Sequence, residues 1–240
     1  MKKTFFALLR TMMFVALMPV LSVSLVACVP VSGAGGLGDG DEGEVVGGGS
    51  KAIDLGLSVK WASCNVGADS PEDYGGYYAW GETVEKSEYS WSTYKWCHRS
   101  HDSQTKYCTN SDYSYWGRVD NKRVLESADD VAHSKWGGSW RMPTLDEIKE
   151  LRSQCSWSWT SVKGVNGYRV TGPNGNSIFL PAAGWRGSKG VDGRGSSGNY
   201  SSATLGSDDS RAYGLYFYSD DVYWDDSYRD SGLSVRPVTK

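Results

Sequence analysis

Residues 200–238 read YSSATLGSDDSRAYGLYFYSDDVYWDDSYRDSGLSVRPV, and at period two this run separates into two sets. Leu215, Phe217, Val222, Trp224 and Val235 are apolar and recur where a strand faces a core. Between them stand Tyr213, Tyr216, Tyr218, Asp220, Asp221, Tyr223, Asp225, Asp226, Tyr228 and Asp230. The reading is a set of short strands whose outward face is built from Tyr, Asp, Ser and Gly. Such a face has the makeup of a binding paratope, because Tyr supplies large, rigid contact area while Ser and Gly adapt. An ordinary wet face of an antiparallel sheet has the same alternation.

What this run lacks is as informative. From residue 190 to residue 239 there is no Lys, Glu, Gln or Met, and every acid is Asp, whereas Lys and Glu are common from 51 to 189. Solvated faces use Lys and Glu freely. Randomising the adenines of A-A-pyrimidine codons reaches Asn, Tyr, Asp, Ser, Gly, Leu, His and Arg, and cannot reach Lys, Glu, Gln, Met or Trp. The bias therefore fits targeted diversification. Trp224 is the exception within the run, and it falls in the inward set.

Outward from this stretch, the chain begins with Lys2, Lys3 and Arg10, then an apolar run over residues 12–27 that ends Leu25-Val26-Ala27-Cys28. A basic start, a short apolar centre and small residues at the cut describe a secretory signal over residues 1–27. The ending resembles a bacterial lipobox, which implies cleavage before Cys28, lipidation of its sulfur and attachment to a membrane. Val29 after Cys28, rather than Asp, implies an outer-membrane address in a Gram-negative cell. Residues 28–50 are Gly-rich and acidic and cannot bury enough apolar area to offset their ordering entropy. They read as a tether of roughly 25 Å reach. Without Lys2, Lys3 and Arg10 the chain carries 22 basic against 28 acidic residues, a formal charge of −6. With no basic tract, nucleic acid is not an expected partner.

Residues 51–240 suffice for one sizeable core. Turn signals every eight to twelve residues or so, amid abundant Gly, Ser, Trp and Tyr, predict an α+β domain of turn-rich antiparallel sheets with one or two short helices. Leu55, Leu57, Val59 and Trp61 alternate as a first strand, and residues 77–80 read as a second. Thr144 and Glu147 form a capping box that predicts a helix over 145–154, with Ile148 and Leu151 facing inward. A shorter helical turn is expected after Asp129 and Asp130. Asn174-Gly175 predicts a hairpin between residues 168–171 and 177–180.

The blocks AIDLGLSVKWASCNVGA (52–68), YYAWGE (77–82), DDVAHSKWGGSWRMPT (129–144), GYRVTGPNGNSIFLPAAGWR (167–186) and GLSVRPV (232–238) resemble the Fibrobacter succinogenes major paralogous domain. That family is common in surface lipoproteins of gut bacteria. It is similar in turn to the formylglycine-generating-enzyme branch of the C-type-lectin fold. The likeness covers nearly all of residues 51–238 except an insertion at 95–123. Some members are variable proteins of diversity-generating retroelements, mutated in their last strands and loops. The alternation from Arg211 to Leu233 matches that variable pattern position by position, so the resemblance adds Arg211 to the contact residues. It departs at Gly198-Asn199-Tyr200-Ser201, where a Trp commonly follows the Tyr.

Cys64, Cys97, Cys108 and Cys155 remain once Cys28 takes lipid, and an even number in an exported chain reads as two disulfides. Of three pairings, Cys97 with Cys108 closes a local loop and leaves Cys64 with Cys155. The competing reading is a metal site of Cys97, His98, His101 and Cys108, disfavoured because neighbours in a strand point apart. Calcium on Asp220, Asp221, Asp225 and Asp226 is a second alternative, against solvated turn formers. No metal or cofactor is expected. Neither is catalysis: His98, His101 and His133 have no nucleophile beside them, and no cysteine follows Cys155 to supply the cysteine pair of the related enzymes. Trp136, Trp140 and Trp185 read as core or loop anchors, and Trp157 with Trp159 as one face of a strand. The sequence thus leads to an expectation: a surface-tethered, non-enzymatic binding domain for a protein or glycan. A fixed-specificity adhesin, and more distantly an enzyme of the formylglycine-generating type, are the alternatives.

Overall fold

The computed structural model describes residues 50–240; the leader, Cys28 and all but the last residue of the Gly-rich segment lie outside them. Two helices form where the sequence caps them. Helix α1 (Val131–Trp136) starts on Asp130, whose carboxylate accepts the N–H groups of Ala132 at 2.9 Å and His133 at 3.1 Å. Helix α2 (Leu145–Gln154) starts on Thr144, and the capping box with Glu147 is closed in both directions. Arg141 grips the same Glu147 with both terminal nitrogens. Ile148 and Leu151 are buried, as their spacing demands. No helix among the described residues is long and apolar enough to cross a membrane.

The strands are β1 (Ala52–Ile53), β2 (Lys60–Ala62), β3 (Ser156–Val162), β4 (Val165–Thr171), β5 (Ser177–Pro181), β6 (Trp185–Gly187), β7 (Gly190–Asp192), β8 (Gly198–Leu205), β9 (Arg211–Phe217), β10 (Val222–Tyr228) and β11 (Val238–Thr239). They make antiparallel sheets in the orders β1-β2-β11, β3-β4-β5 and β10-β9-β8, with β6-β7 as a separate hairpin. The fold is therefore α+β and dominated by short antiparallel strands. Asn174-Gly175 turns β4 into β5, with Gly175 at φ +88°. Trp157 and Trp159 share one side of β3 and meet Tyr168 edge-on.

Two expected strands differ. Leu55, Leu57, Val59 and Trp61 do not form one strand, because the chain turns at Gly56, φ +74°, before β2 begins. Leu55, Val59 and Trp61 are buried all the same. Residues 77–80 are buried and make no strand: one β-bridge joins Tyr78 to Leu233, and the Trp80 N–H donates to the Arg229 carbonyl at 2.9 Å. Trp136 and Trp140 anchor one another edge-on at 5.1 Å, as expected. Trp185, expected as a core or loop anchor, stands exposed on β6.

Apolar side chains gather on both sides of the β8–β9 pair. Leu215, Phe217 and Tyr200 pack with Trp61, Ile148 and Leu180. Leu205 and Ala212, of opposite parity, pack with Trp80, Tyr107 and Val235. Gly198 permits this closeness, since a Cβ there would collide with the Phe217 ring. Two arginines lie inside the protein. Arg236 donates to the carbonyls of Ala62, Ser63 and Phe179 and to Asn65 Oδ1, all at 2.8–3.0 Å. Arg229 is equally buried, at 1% exposure. Full pairing of this kind is what makes a buried charge tolerable.

Candidate functional site

Strands β9 and β10 pair along their whole length, with Leu215 opposite Trp224 and Tyr216 opposite Tyr223. Arg211, Tyr213, Leu215, Phe217, Val222, Trp224, Asp226 and Tyr228 therefore share one side of the hairpin. Ala212, Gly214, Tyr216, Tyr223, Asp225 and Ser227 share the other. The turn is closed by the Tyr218 N–H donating to the Asp221 carbonyl at 2.9 Å. Tyr218, Asp220 and Asp221 are exposed on it.

The inward set is read correctly, since Leu215, Phe217, Val222 and Trp224 share a side, but Tyr213, Asp226 and Tyr228, expected on the opposite side, share it with them, and depth does not follow parity. Trp224, expected inward, is on the Leu215 side and is still 40% exposed. Lys149 of α2 lies over it, with Nζ 4.5 Å from the ring centre, and Tyr213 meets it edge-on at 6.0 Å. Tyr213, expected outward, thus stands half-buried on the Leu215 side. Tyr216, also expected outward, is only 7% exposed. It stacks on Tyr223 and donates to Ser227 Oγ at 2.8 Å, and burial pushes its phenol pKa up. Asp226 is half-buried: burial opposes its ionisation, but the Ser207 N–H and Arg211 donors hold its carboxyl below the usual range. Asp225 is exposed and accepts the Asp226 N–H. Asp230 is half-buried, and desolvation pushes it up to about 6 against the pull of its own N–H and Lys86.

The outer edge of β10 is blunted. Arg152 Nε donates to the Val222 carbonyl at 2.6 Å, Asp225 takes the Asp226 N–H, and the Ser231 N–H donates to the Tyr228 carbonyl at 3.2 Å. Residues 222, 226 and 228 share one parity, so these are the groups that a further strand would use. What the hairpin offers a ligand is side chains.

Several neighbours of this surface carry no signal at the level of motif or spacing. Tyr228 meets Trp91 edge-on at 5.9 Å, and Trp91 in turn faces the exposed His101 at 6.3 Å. Beneath them Arg229 Nε donates to the Tyr94 hydroxyl at 2.9 Å, Nη1 to the Asp209 and Tyr107 carbonyls at 2.6 and 3.2 Å, and Nη2 to Lys106 O at 3.0 Å. Its guanidinium lies 4.8 Å from the Trp80 ring centre. Buried Asp209 accepts from the N–H groups of Thr109 and Asn110, both at 2.7 Å, and from Thr109 Oγ1 at 2.8 Å. The insertion is thereby bolted to the base of the β9–β10 hairpin.

The cysteines correct the expected pairing: Cys64, Cys97, Cys108 and Cys155 are four free thiols. Each sits in its own surroundings. Cys97 Sγ turns to the Trp91 carbonyl at 3.2 Å, and Cys108 Sγ to the Asn110 carbonyl at 3.1 Å and Asp209 at 3.4 Å. Cys64 lies beside Ser63, while Cys155 ends α2 against the Ile148–Leu151 cluster. Burial pushes Cys108 and Cys155 each up to about 11, so both stay protonated at neutral pH and are poor nucleophiles. Among the described residues no three His, Cys, Asp or Glu side chains converge as metal ligands. Asp226 faces Arg211 and Ser207 instead of the other three acids of its set.

A cleft of about 500 Å³ lies between α1 and residues 138–144. Its polar groups are already engaged: Asp130 caps α1 and holds the Met142 N–H, His133 Nδ1 meets the Trp140 carbonyl, and Arg141 holds Glu147. Compared with protein-family models, curated proteins and solved structures, the chain matches none of them.

Proposed function

We propose that this chain is a cell-surface binding protein with a C-type-lectin-like domain, held at the outer membrane through lipidated Cys28, whose β9–β10 hairpin is a diversified ligand-contact face. One observation carries the reading. The stretch free of Lys, Glu, Gln and Met is the one whose exposed aromatic and acidic side chains collect on a single hairpin, above strands that are buried on both sides. A face of that kind changes its side chains without disturbing the core beneath. The ligand is a protein or glycan, and the domain works by binding, not by turnover.

Sequencing the locus in independent isolates tests this. Differences should gather at Arg211, Tyr213, Tyr218, Asp220, Asp221, Tyr223, Asp225 and Tyr228 and spare Leu215, Phe217, Arg229 and Arg236, with an adenine-rich repeat and a reverse-transcriptase gene nearby. Differences spread evenly over both sets would sink the reading. The anchor has its own test: Cys28→Ser should move the protein from membranes to the soluble fraction. A second reading, a fixed-specificity glycan-binding adhesin, rests on the insertion. There His98 stacks on Tyr115 at 4.2 Å, and Tyr115 and Trp116 are 45% and 63% exposed, outside the biased stretch.

A further inference from the structure

The two exposed aromatic rings of β10 are each already met by a cation of this chain. Lys149 Nζ lies 4.5 Å from the Trp224 ring centre, and the Arg211 guanidinium 4.7 Å from that of Tyr228. Aromatic faces attract ammonium and guanidinium groups through the ring quadrupole, and these intramolecular contacts show both rings doing so. Trp224, Asp226 and Tyr228 follow one another on one side of the strand, at about 7 Å intervals. Trp91, at 78° to Tyr228, turns the end of that row into a corner.

The last strands are themselves acid-rich, and Lys149 and Arg152 of α2 are basic groups that border the row. Between residues 200 and 240 there are seven Asp and four basic residues. Arg229 and Arg236 are buried, and Arg211 is held by Asp226 at 3.0 Å and Asp208 at 3.6 Å. Asp220 and Asp221 are exposed and, among the described residues, make no side-chain hydrogen bond or ion pair. A pyranose ring prefers an open, flat aromatic platform, whereas here the rings meet edge to face and carry cations. The blunted backbone edge of β10 also disfavours an added strand.

We infer that the ligand of the β9–β10 face is a basic protein segment, whose Lys or Arg side chains pack on Trp224, Tyr228 and Trp91 and face Asp220 and Asp221. The inference rests on the proposed contact face and supplies its partner class.

The test uses the full chain and a fluorescent nonapeptide alternating Lys and Gly, compared with its lysine-acetylated form, a Glu-for-Lys version and neutral oligosaccharides. The basic peptide should bind, and acetylation should weaken it roughly tenfold or more. Trp224→Ser with Tyr228→Ser should weaken it by about tenfold. Asp220→Asn with Asp221→Asn, on the exposed turn, should flatten its dependence on salt. Thermal melting beside the titrations separates lost contact from lost fold, and the turn variant answers if the aromatic one unfolds. No binding of the basic peptide to the unaltered protein overturns the inference, as does equal binding by every variant. If the acidic peptide or an oligosaccharide binds in its place and is lost with Trp224 and Tyr228, the contact face stands and the basic partner falls.

Discussion

Strands β9 and β10 have seven residues each, two of them Tyr in either strand, and pair over their full length. Yet five residues of β9 are buried and none of β10 is. Leu215 and Trp224 sit opposite one another on the same side, at 2% and 40% exposure. The difference lies in position. β9 has a strand on either side and apolar clusters above and below, whereas β10 is an edge strand whose Val222 packs against the core while Trp224 stays open. One hairpin thus holds a fixed strand and a substitutable one, and Arg229 directly after β10 fastens the substitutable one down.

That contrast breaks most severely at Arg229. Arg229→Met should cost about 3–5 kcal/mol, because one side chain holds three carbonyls and a phenol. Tm should fall on the order of 10 °C. A loss under about 1 kcal/mol in urea unfolding would mean that the insertion docks without it. Next comes the opposed pair. Leu215→Ala should cost about 2–5 kcal/mol through the cavity it leaves, and Trp224→Ala less than about 1 kcal/mol. Equal losses in parallel melts would show that β10 is as deeply packed as β9. The smallest effect is at Asp230. Its folded pKa, about 6, stands above the carboxylate's ordinary 3.8. The protonated form is therefore favoured in the folded state, and that stability is present below about pH 4 and lost as pH rises through 6. Asp230→Asn should melt higher than the unaltered protein at pH 7 and no higher at pH 4. A gap that does not change with pH would assign the effect to packing.

The local features were legible in the sequence, because local chemistry fixes them. Thr144 and Glu147 announce α2, Asp130 announces α1, and Asn174-Gly175 announces the β4–β5 hairpin. Parity in the last strands was legible in part: Leu215, Phe217, Val222 and Trp224 do share a side, but Tyr213, Asp226 and Tyr228 share it with them. What alternation cannot carry is how far a core extends along that side, so Trp224 and Tyr216 exchange their expected depths. Nothing local marks Arg229 and Arg236 as buried, since their acceptors lie as far as 123 and 174 residues away in the chain. Trp91 joins the site for the same reason, through its edge-on contact with Tyr228, far along the chain. The even cysteine count spoke for two disulfides, but a count says nothing of distance, and each thiol found a separate niche.

Strand β2 lies between β1 and β11, with Ile53 and Val238 both opposite Trp61. β1 and β11 therefore run in the same direction, two strand spacings or about 10 Å apart. Ala52 is level with Ala62 and Thr239 with Lys60, an offset of about 7 Å along the strands. A linker of roughly five residues would span that gap, joining Thr239 to Ala52 in a circularly permuted chain. New ends could then open at Asn174-Gly175, in the turn between β4 and β5. The hairpin that carries the contact face would be left uncut, in the first third of the new sequence.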